Sequence, residues 1–156
     1  MTRRAIEVNL TEKTALVTGA SSGIGAAVAE ALAANGASLW VNYPDEAAAE
    51  DASAVVSRIA SAGGRARMVQ ADVSSESDVM TMFEALEPDG LDILVNNAGI
   101  AHASPIESLE VEDFDRLIGV HLRGTFLCTR SALRMMYGQN SGRIINTASQ
   151  LAYIGA

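Results

Sequence analysis

The 156 residues suffice for one domain with a buried core, and a hydrophobic content of 49% marks a globular chain, not a disordered one. A formal net charge of −8 excludes the cationic footprint that nucleic acid or an anionic membrane requires of a partner. The single cysteine, Cys128, excludes an internal disulfide, and its apolar neighbours mark it as a small buried hydrophobe. The basic start "MTRRAIEVNLTEK" leads into no apolar run, so no signal peptide is read. No apolar stretch is long enough to span a bilayer, and a cytoplasmic protein is expected.

Strand and helix signals alternate along the chain. "TALVT" (14–18) is short, apolar and followed by glycine, which predicts a buried strand. Ile24, Ala27, Val28, Ala31 and Leu32 then recur at helical spacing, and Asn35-Gly36 supplies a helix stop that tolerates left-handed dihedrals. "SLWVN" (38–42) predicts a second strand. A helix opening at Pro44-Asp45 follows, with Ala52, Val55, Val56 and Ile59 on one face, closed by Gly63-Gly64. "RMVQ" (67–70) is the third strand. Ser75 and Asp78 have the spacing of a capping box for a third helix that buries Val79, Met82, Phe83 and Leu86. "LDILVN" (91–96) is the fourth strand. A long helical pattern then runs through Phe114, Leu117, Ile118, His121, Leu122, Thr125, Phe126, Thr129, Leu133 and Met136, and "GRIINTAS" (142–149) carries a fifth strand. Apolar strands alternating with amphipathic helices predict βαβ units: an α/β, doubly wound parallel sheet of Rossmann type, covered on both faces. Residues 1–156 read as one domain, with no repeat, linker or low-complexity tract.

The loop "GASSGIG" carries the first chemical signal. A loop leaving the first strand of such a sheet lies at a helix N-terminus, where backbone N–H groups and the helix dipole favour an anion. Gly19 permits a tight turn, Gly23 and Gly25 permit close approach of backbone, helix and ligand, and Ser21 and Ser22 add hydroxyl donors for a phosphate. The alternative is an ordinary glycine-rich turn, but the preceding strand and following helix are the context a dinucleotide loop needs. The spacing is Thr18-Gly19-x-x-x-Gly23-Ile24-Gly25, not G-x-G-x-x-G.

With "DV" at Asp72-Val73, "NNAG" at 96–99 and "GRIINTAS" at 142–149 in the same order, the chain resembles the classical branch of the short-chain dehydrogenase/reductase family. The likeness runs from about Thr11 to Ala156 and is strongest to that family's 3-oxoacyl-carrier-protein reductases and bacterial sugar or alcohol dehydrogenases. It implies an NAD(P)-dependent oxidoreductase that passes a hydride between nicotinamide and a small carbonyl or alcohol substrate, assembled as a homo-oligomer, a dimer or tetramer. It implies that Gly19, Ala20, Ser21, Ser22, Gly23, Ile24 and Gly25 hold the dinucleotide, that Asp72 and Val73 contact adenine, that Asn97, Ala98 and Gly99 line the cofactor site, and that Ser149 bonds the substrate oxygen. Each residue also has a plainer reading: Asp72 as a turn aspartate, Asn96 and Asn97 as turn formers, Ser149 as a loop serine. Asn96 is expected to bond backbone. The family's ribose-binding acid falls on Tyr43; with no acid there NADP is favoured over NAD, although Ser22 replaces the usual basic partner and Asp45 lies nearby as a helix cap. No metal is expected.

The chain also departs from the family. Its proton donor is a tyrosine in Tyr-x-x-x-Lys beyond the catalytic serine, yet the only lysine here is Lys13. None of Tyr43, Tyr137 and Tyr153 has a lysine four residues on. His121 stands where the family has a catalytic asparagine; a core histidine on an apolar helix face is the favoured alternative, and His102 reads as a solvated loop residue. The expectation is therefore an N-terminal part of a longer enzyme, truncated after the fifth strand and inactive by itself. The competing class is a nucleotide-binding or interaction module without catalysis.

Overall fold

In the computed structural model, residues 8–150 are described, which leaves Tyr153 outside them. Strands β1 (Thr14–Val17), β2 (Ser38–Tyr43), β3 (Arg65–Gln70), β4 (Ile93–Asn96) and β5 (Arg143–Asn146) form one sheet in the order β3-β2-β1-β4-β5. All four pairings are parallel, with registers such as Val17 against Val41 and Val95, and Ile145 against Val95. Between the strands run α1 (Gly23–Ala34), α2 (Ala49–Ser61), α3 (Glu76–Leu86), α4 (Val111–Ile118) and α5 (Thr125–Gln139).

The alternation of side chains along β1 divides the core. Ala15 and Val17 point to a cluster with Leu39, Val41 and Tyr43, closed by Ala29 of α1 and by Val55 and Ile59 of α2. Leu16 points the other way, to Trp40 and Leu94, where Met82 and Phe83 of α3 and Leu127, Cys128 and Ala132 of α5 cover the sheet. Both faces of the sheet are thus covered by helices, as the near-continuous apolar strands predict.

Several local signals act as read. Gly36 and Gly63 take φ of +100° and +85° just past α1 and α2. Asp45 accepts the Ala48 N–H at 3.2 Å and caps the 3-10 turn (Glu46–Ala48) that leads into α2. The Ser75 hydroxyl accepts the Asp78 N–H at 3.3 Å and donates to Asp78 Oδ1 at 2.8 Å. All four residues assigned to the buried face of α3 are buried.

The fifth strand lies within "GRIINTAS" as expected, at Arg143–Asn146, and the last three residues form a loop. Two expectations are corrected. The buried face of α1 is Gly25, Ala26, Ala29 and Ala33, while Val28 and Leu32 are only partly buried against the core and Ile24 is 69% exposed; at Gly25 a Cβ would strike the Gly19 carbonyl, so the helix start admits no side chain there. The long helix is not uniform: residues 119–124 form a π-helical segment between α4 and α5. Its wider turn shifts the register, so α5 faces the sheet with Leu127, Cys128, Ala132 and Met136, and Phe114, Ile118, Leu122 and Phe126 lie outward.

Candidate active site

Parallel strands bring the loops that follow them to one edge of the sheet. The strand order reverses between β1 and β4, and ligands of open α/β sheets bind in the crevice at such a reversal. The loops after β1 and β4 meet there. Thr18 joins them: its hydroxyl accepts the N–H groups of Asn97 and Ala98, each at 3.0 Å, and donates to the Val95 carbonyl at 3.3 Å. Asn97 returns the link through Nδ2, which donates to the carbonyls of Thr18 at 3.0 Å and Gly19 at 3.2 Å. Asn97 therefore acts first on the glycine loop, through its side chain.

The three glycines have different causes. A Cβ on Gly19 would lie 2.8 Å from Ala98 Cα, and one on Gly25 would strike the Gly19 carbonyl and lie 2.6 Å from Asn97 Nδ2. Those two positions let the loops close on each other. Gly23 has φ of +56° and meets nothing within 4 Å, so its face of the loop is open to a ligand.

The amides complete the cradle. Gly19 and Ala20 donate to Asn42, to Oδ1 at 3.1 Å and to the main-chain carbonyl at 2.8 Å. The amides of residues 21–25 have no acceptor among the described residues, and the N-cap Ser22 makes no side-chain cap. These donors, at the positive end of α1, fit the pyrophosphate of a dinucleotide. Ala20 is fully buried and contributes through its backbone alone.

At the next strand end, Tyr43 closes β2 and is 8% exposed, packed in the core. Asp72 follows β3 by two residues. Its Oδ1 accepts the Ser74 N–H at 2.9 Å and the Ser74 hydroxyl at 2.8 Å, as a turn aspartate does, while Oδ2 has no partner among the described residues. The Asp72 N–H donates to Asp78 Oδ2 at 3.2 Å. The Ser75 hydroxyl and then this N–H hold the Asp78 carboxyl below its ordinary pKa. The Val73 side chain is buried, so only its main chain faces the loop edge; Gly124 exists to admit it, since a Cβ there would lie 2.7 Å from Val73 Cγ2.

Asn96 bonds side chains, not backbone: its Nδ2 donates to Thr129 Oγ1 at 3.0 Å and Asn146 Oδ1 at 2.9 Å, tying β4 to α5 and β5. His121 is exposed in the π-helical segment and is not a core residue. The widened turn carries the ring out of the core and over Gly99, where a Cβ would lie 2.7 Å from Cε1. His121 Nε2 lies 3.2 Å from the Ile100 nitrogen and 2.9 Å from its oxygen; it accepts the N–H when bare and donates to the carbonyl when protonated. Thr125 donates to the His121 carbonyl at 2.7 Å. His102 lies 3.6 Å from Asp113 and is partly exposed. Ser149 is exposed in the loop after β5, on the same edge as the glycine loop. Cys128 is fully buried, and burial pushes its thiol pKa up to about 12.

Two residues central to this geometry carry no role in the sequence reading. Thr18 is there only a motif letter. Asn42 stands between Val41 and Tyr43 in an otherwise apolar strand, and a lone amide in such a strand was the available signal.

The model of the family described as short chain dehydrogenase matches residues 13–156. The chain belongs to that family. It is 43% identical over 148 residues to a 3-oxoacyl-[acyl-carrier-protein] reductase of Synechocystis sp., covering 94% of this chain and 59% of that protein. It is 44% identical over 144 residues to a D-beta-hydroxybutyrate dehydrogenase of Cupriavidus necator, covering 90% of this chain and 54% of that one. The chain thus spans little more than half the length of these relatives. Among solved structures, a short chain dehydrogenase from Burkholderia cenocepacia J2315 in complex with NADP matches with a TM-score of 0.86 and 40% identity, over 95% of this chain and 60% of that one.

Proposed function

We propose that this chain provides the dinucleotide-binding part of an NAD(P)-dependent oxidoreductase acting on a small carbonyl or alcohol. The observation that carries this reading is the cradle formed by the unpartnered amides of residues 21–25 above an open Gly23, at the point where the strand order reverses. Residues 21–25 hold the pyrophosphate. The free oxygen of Asp72 and the main chain of Val73 take the adenine end, and residues 97–99 floor the nicotinamide end. Ser149 donates to the substrate oxygen. The bound nicotinamide supplies or accepts the hydride.

NADP is the preferred cofactor, because Tyr43 leaves no carboxylate at the end of β2 to repel a 2′-phosphate. NADP and NAD binding, measured by calorimetry on the unaltered chain and on Tyr43→Asp, tests this. Preference should move toward NAD in the variant; an unchanged or stronger NADP preference would place the ribose elsewhere. A module that binds without catalysis predicts the same affinities and no turnover in any longer form of the protein.

The protein assembles with copies of itself through α4 and α5. Phe114, Ile118, Leu122 and Phe126 recur every fourth residue and are 49%, 41%, 66% and 57% exposed. Acids cluster at the start of this segment, at Glu110, Glu112, Asp113 and Asp115, and arginines follow at Arg116, Arg123, Arg130 and Arg134. Antiparallel pairing about a two-fold axis sets acidic starts against basic ends. Sedimentation equilibrium of the chain and of Leu122→Glu tests this, with a monomer expected only for the variant.

A further inference from the structure

We infer that Asn42 is a positioning residue of the dinucleotide site, fixing the pyrophosphate loop and the Asp72-Val73 turn against each other through one buried amide. This rests on the dinucleotide reading above and adds to it the residue that sets the shape of the site.

Asn42 lies on β2 and is 1% exposed. An amide buried among apolar side chains is unfavourable unless its donor and acceptor are both paired. Asn42 pairs both, and with main chain from two other strand ends. Oδ1 accepts the Gly19 N–H at 3.1 Å, at the first residue of the glycine loop. Nδ2 donates to the Ala71 carbonyl at 3.0 Å, one residue before Asp72. The backbone carbonyl of Asn42 accepts the Ala20 N–H at 2.8 Å. The loops after β1 and β3 do not neighbour each other directly, since β2 lies between their strands. Asn42 is the bridge across that gap.

The chemistry selects asparagine. The position requires one acceptor and one donor at a fixed separation on a short, stiff side chain. Leucine fills the same space and leaves the Gly19 N–H and the Ala71 carbonyl unpaired. Aspartate keeps the bond from Gly19 but sets a second acceptor against the Ala71 oxygen. The bridge also decides which amides reach an anion: Gly19 and Ala20 are engaged by Asn42, so the donors begin at Ser21.

The test combines amide hydrogen exchange, read by NMR on the full 156-residue chain, with calorimetric binding of NADP and NAD. In the unaltered chain the Gly19 amide should exchange far more slowly than those of Ser21 and Ser22. In Asn42→Leu, protection should be lost at Gly19 while Val17 and Val41 in the neighbouring strands keep theirs, and the dinucleotide Kd should rise at least tenfold. A general loss of stability would lower protection at Val17 and Val41 together with Gly19. Should Asn42→Leu not fold, Asn42→Asp carries the binding arm, and the unaltered chain alone still decides the bond. Fast exchange at Gly19 in the unaltered chain overturns the inference, and so does a folded variant with unchanged Kd. Failure of the unaltered chain to bind either dinucleotide overturns the site reading itself, whereas binding that ignores Asn42 overturns only the role of Asn42.

Discussion

At single residues, the site depends on small groups in places that larger or less polar ones cannot occupy. Thr18 shows this most directly, since one hydroxyl serves two N–H groups of the loop after β4. Thr18→Val preserves shape and leaves both unpaired. It should destabilise the protein by about 1–3 kcal/mol, the cost of a buried polar group without a partner. Urea unfolding with an unchanged m-value checks this; a loss below measurement error would mean that water replaces the hydroxyl. Cys128 gives the opposite case, a reactive group silenced by its surroundings. Burial disfavours the thiolate and raises the pKa to about 12, so the charged nucleophile is scarce at any ordinary pH. The folded chain should leave a disulfide reagent unreacted at about pH 8, and react once denatured. Rapid labelling under native conditions would show that α5 opens.

Among the elements, α3 tests how well a short motif predicts its own structure. Its N-cap bond and buried face both form as the sequence indicates. The Asp78 carboxylate, however, turns back to the Asp72 N–H and so connects the helix to the turn after β3. Ser75→Ala should cost about 1 kcal/mol at neutral pH, as loss of an N-cap does. The sign of the pH dependence follows from the lowered pKa of Asp78. A depressed folded value contributes stability above the unfolded carboxyl pKa of about 3.9, and that stability is lost as pH falls through the folded value. The difference between the two proteins should therefore narrow in acid. Denaturant midpoints across the acid range check it, and a constant gap would assign the whole effect to the N–H cap. The α4–α5 segment teaches the converse. Fourfold spacing of Phe114, Ile118, Leu122 and Phe126 is the pattern of a buried stripe, yet the stripe is exposed and the buried side begins at Gly124, the last residue of the π-helical turn.

For the whole molecule, the described structure brings the loops after β1 and β4 and Ser149 to one edge, and the 156 residues contain one lysine, Lys13, immediately before β1 at the opposite end of the strand. No tyrosine among them has a lysine four residues on, so the family's Tyr-x-x-x-Lys pair is not within them. Loss of a general acid commonly lowers the rate by about 10²–10⁴. The chain should bind dinucleotide and show no steady NADPH oxidation with a panel of ketones. Turnover by the purified chain would assign the proton to another group, and His121→Ala would be the first variant to measure.

What the sequence determined by itself was local or ordered. Glycines needing positive φ, the capping serine, the alternation of apolar strands and amphipathic helices, and four motifs in one order are all written along the chain, and they suffice for the parallel sheet and the position of the glycine loop. What the tertiary structure decided involves residues far apart in sequence. Hydrogen bonds from the loop after β4 to Thr18, from Gly19 to Asn42 and from Asn96 to Asn146 exist only once the strands lie side by side. The outward stripe on α4 and α5, the small-residue face of α1 and the exposure of His121 likewise depend on what each helix packs against. Periodicity reports that a helix has two faces; the depth of the groove it enters decides which one is buried.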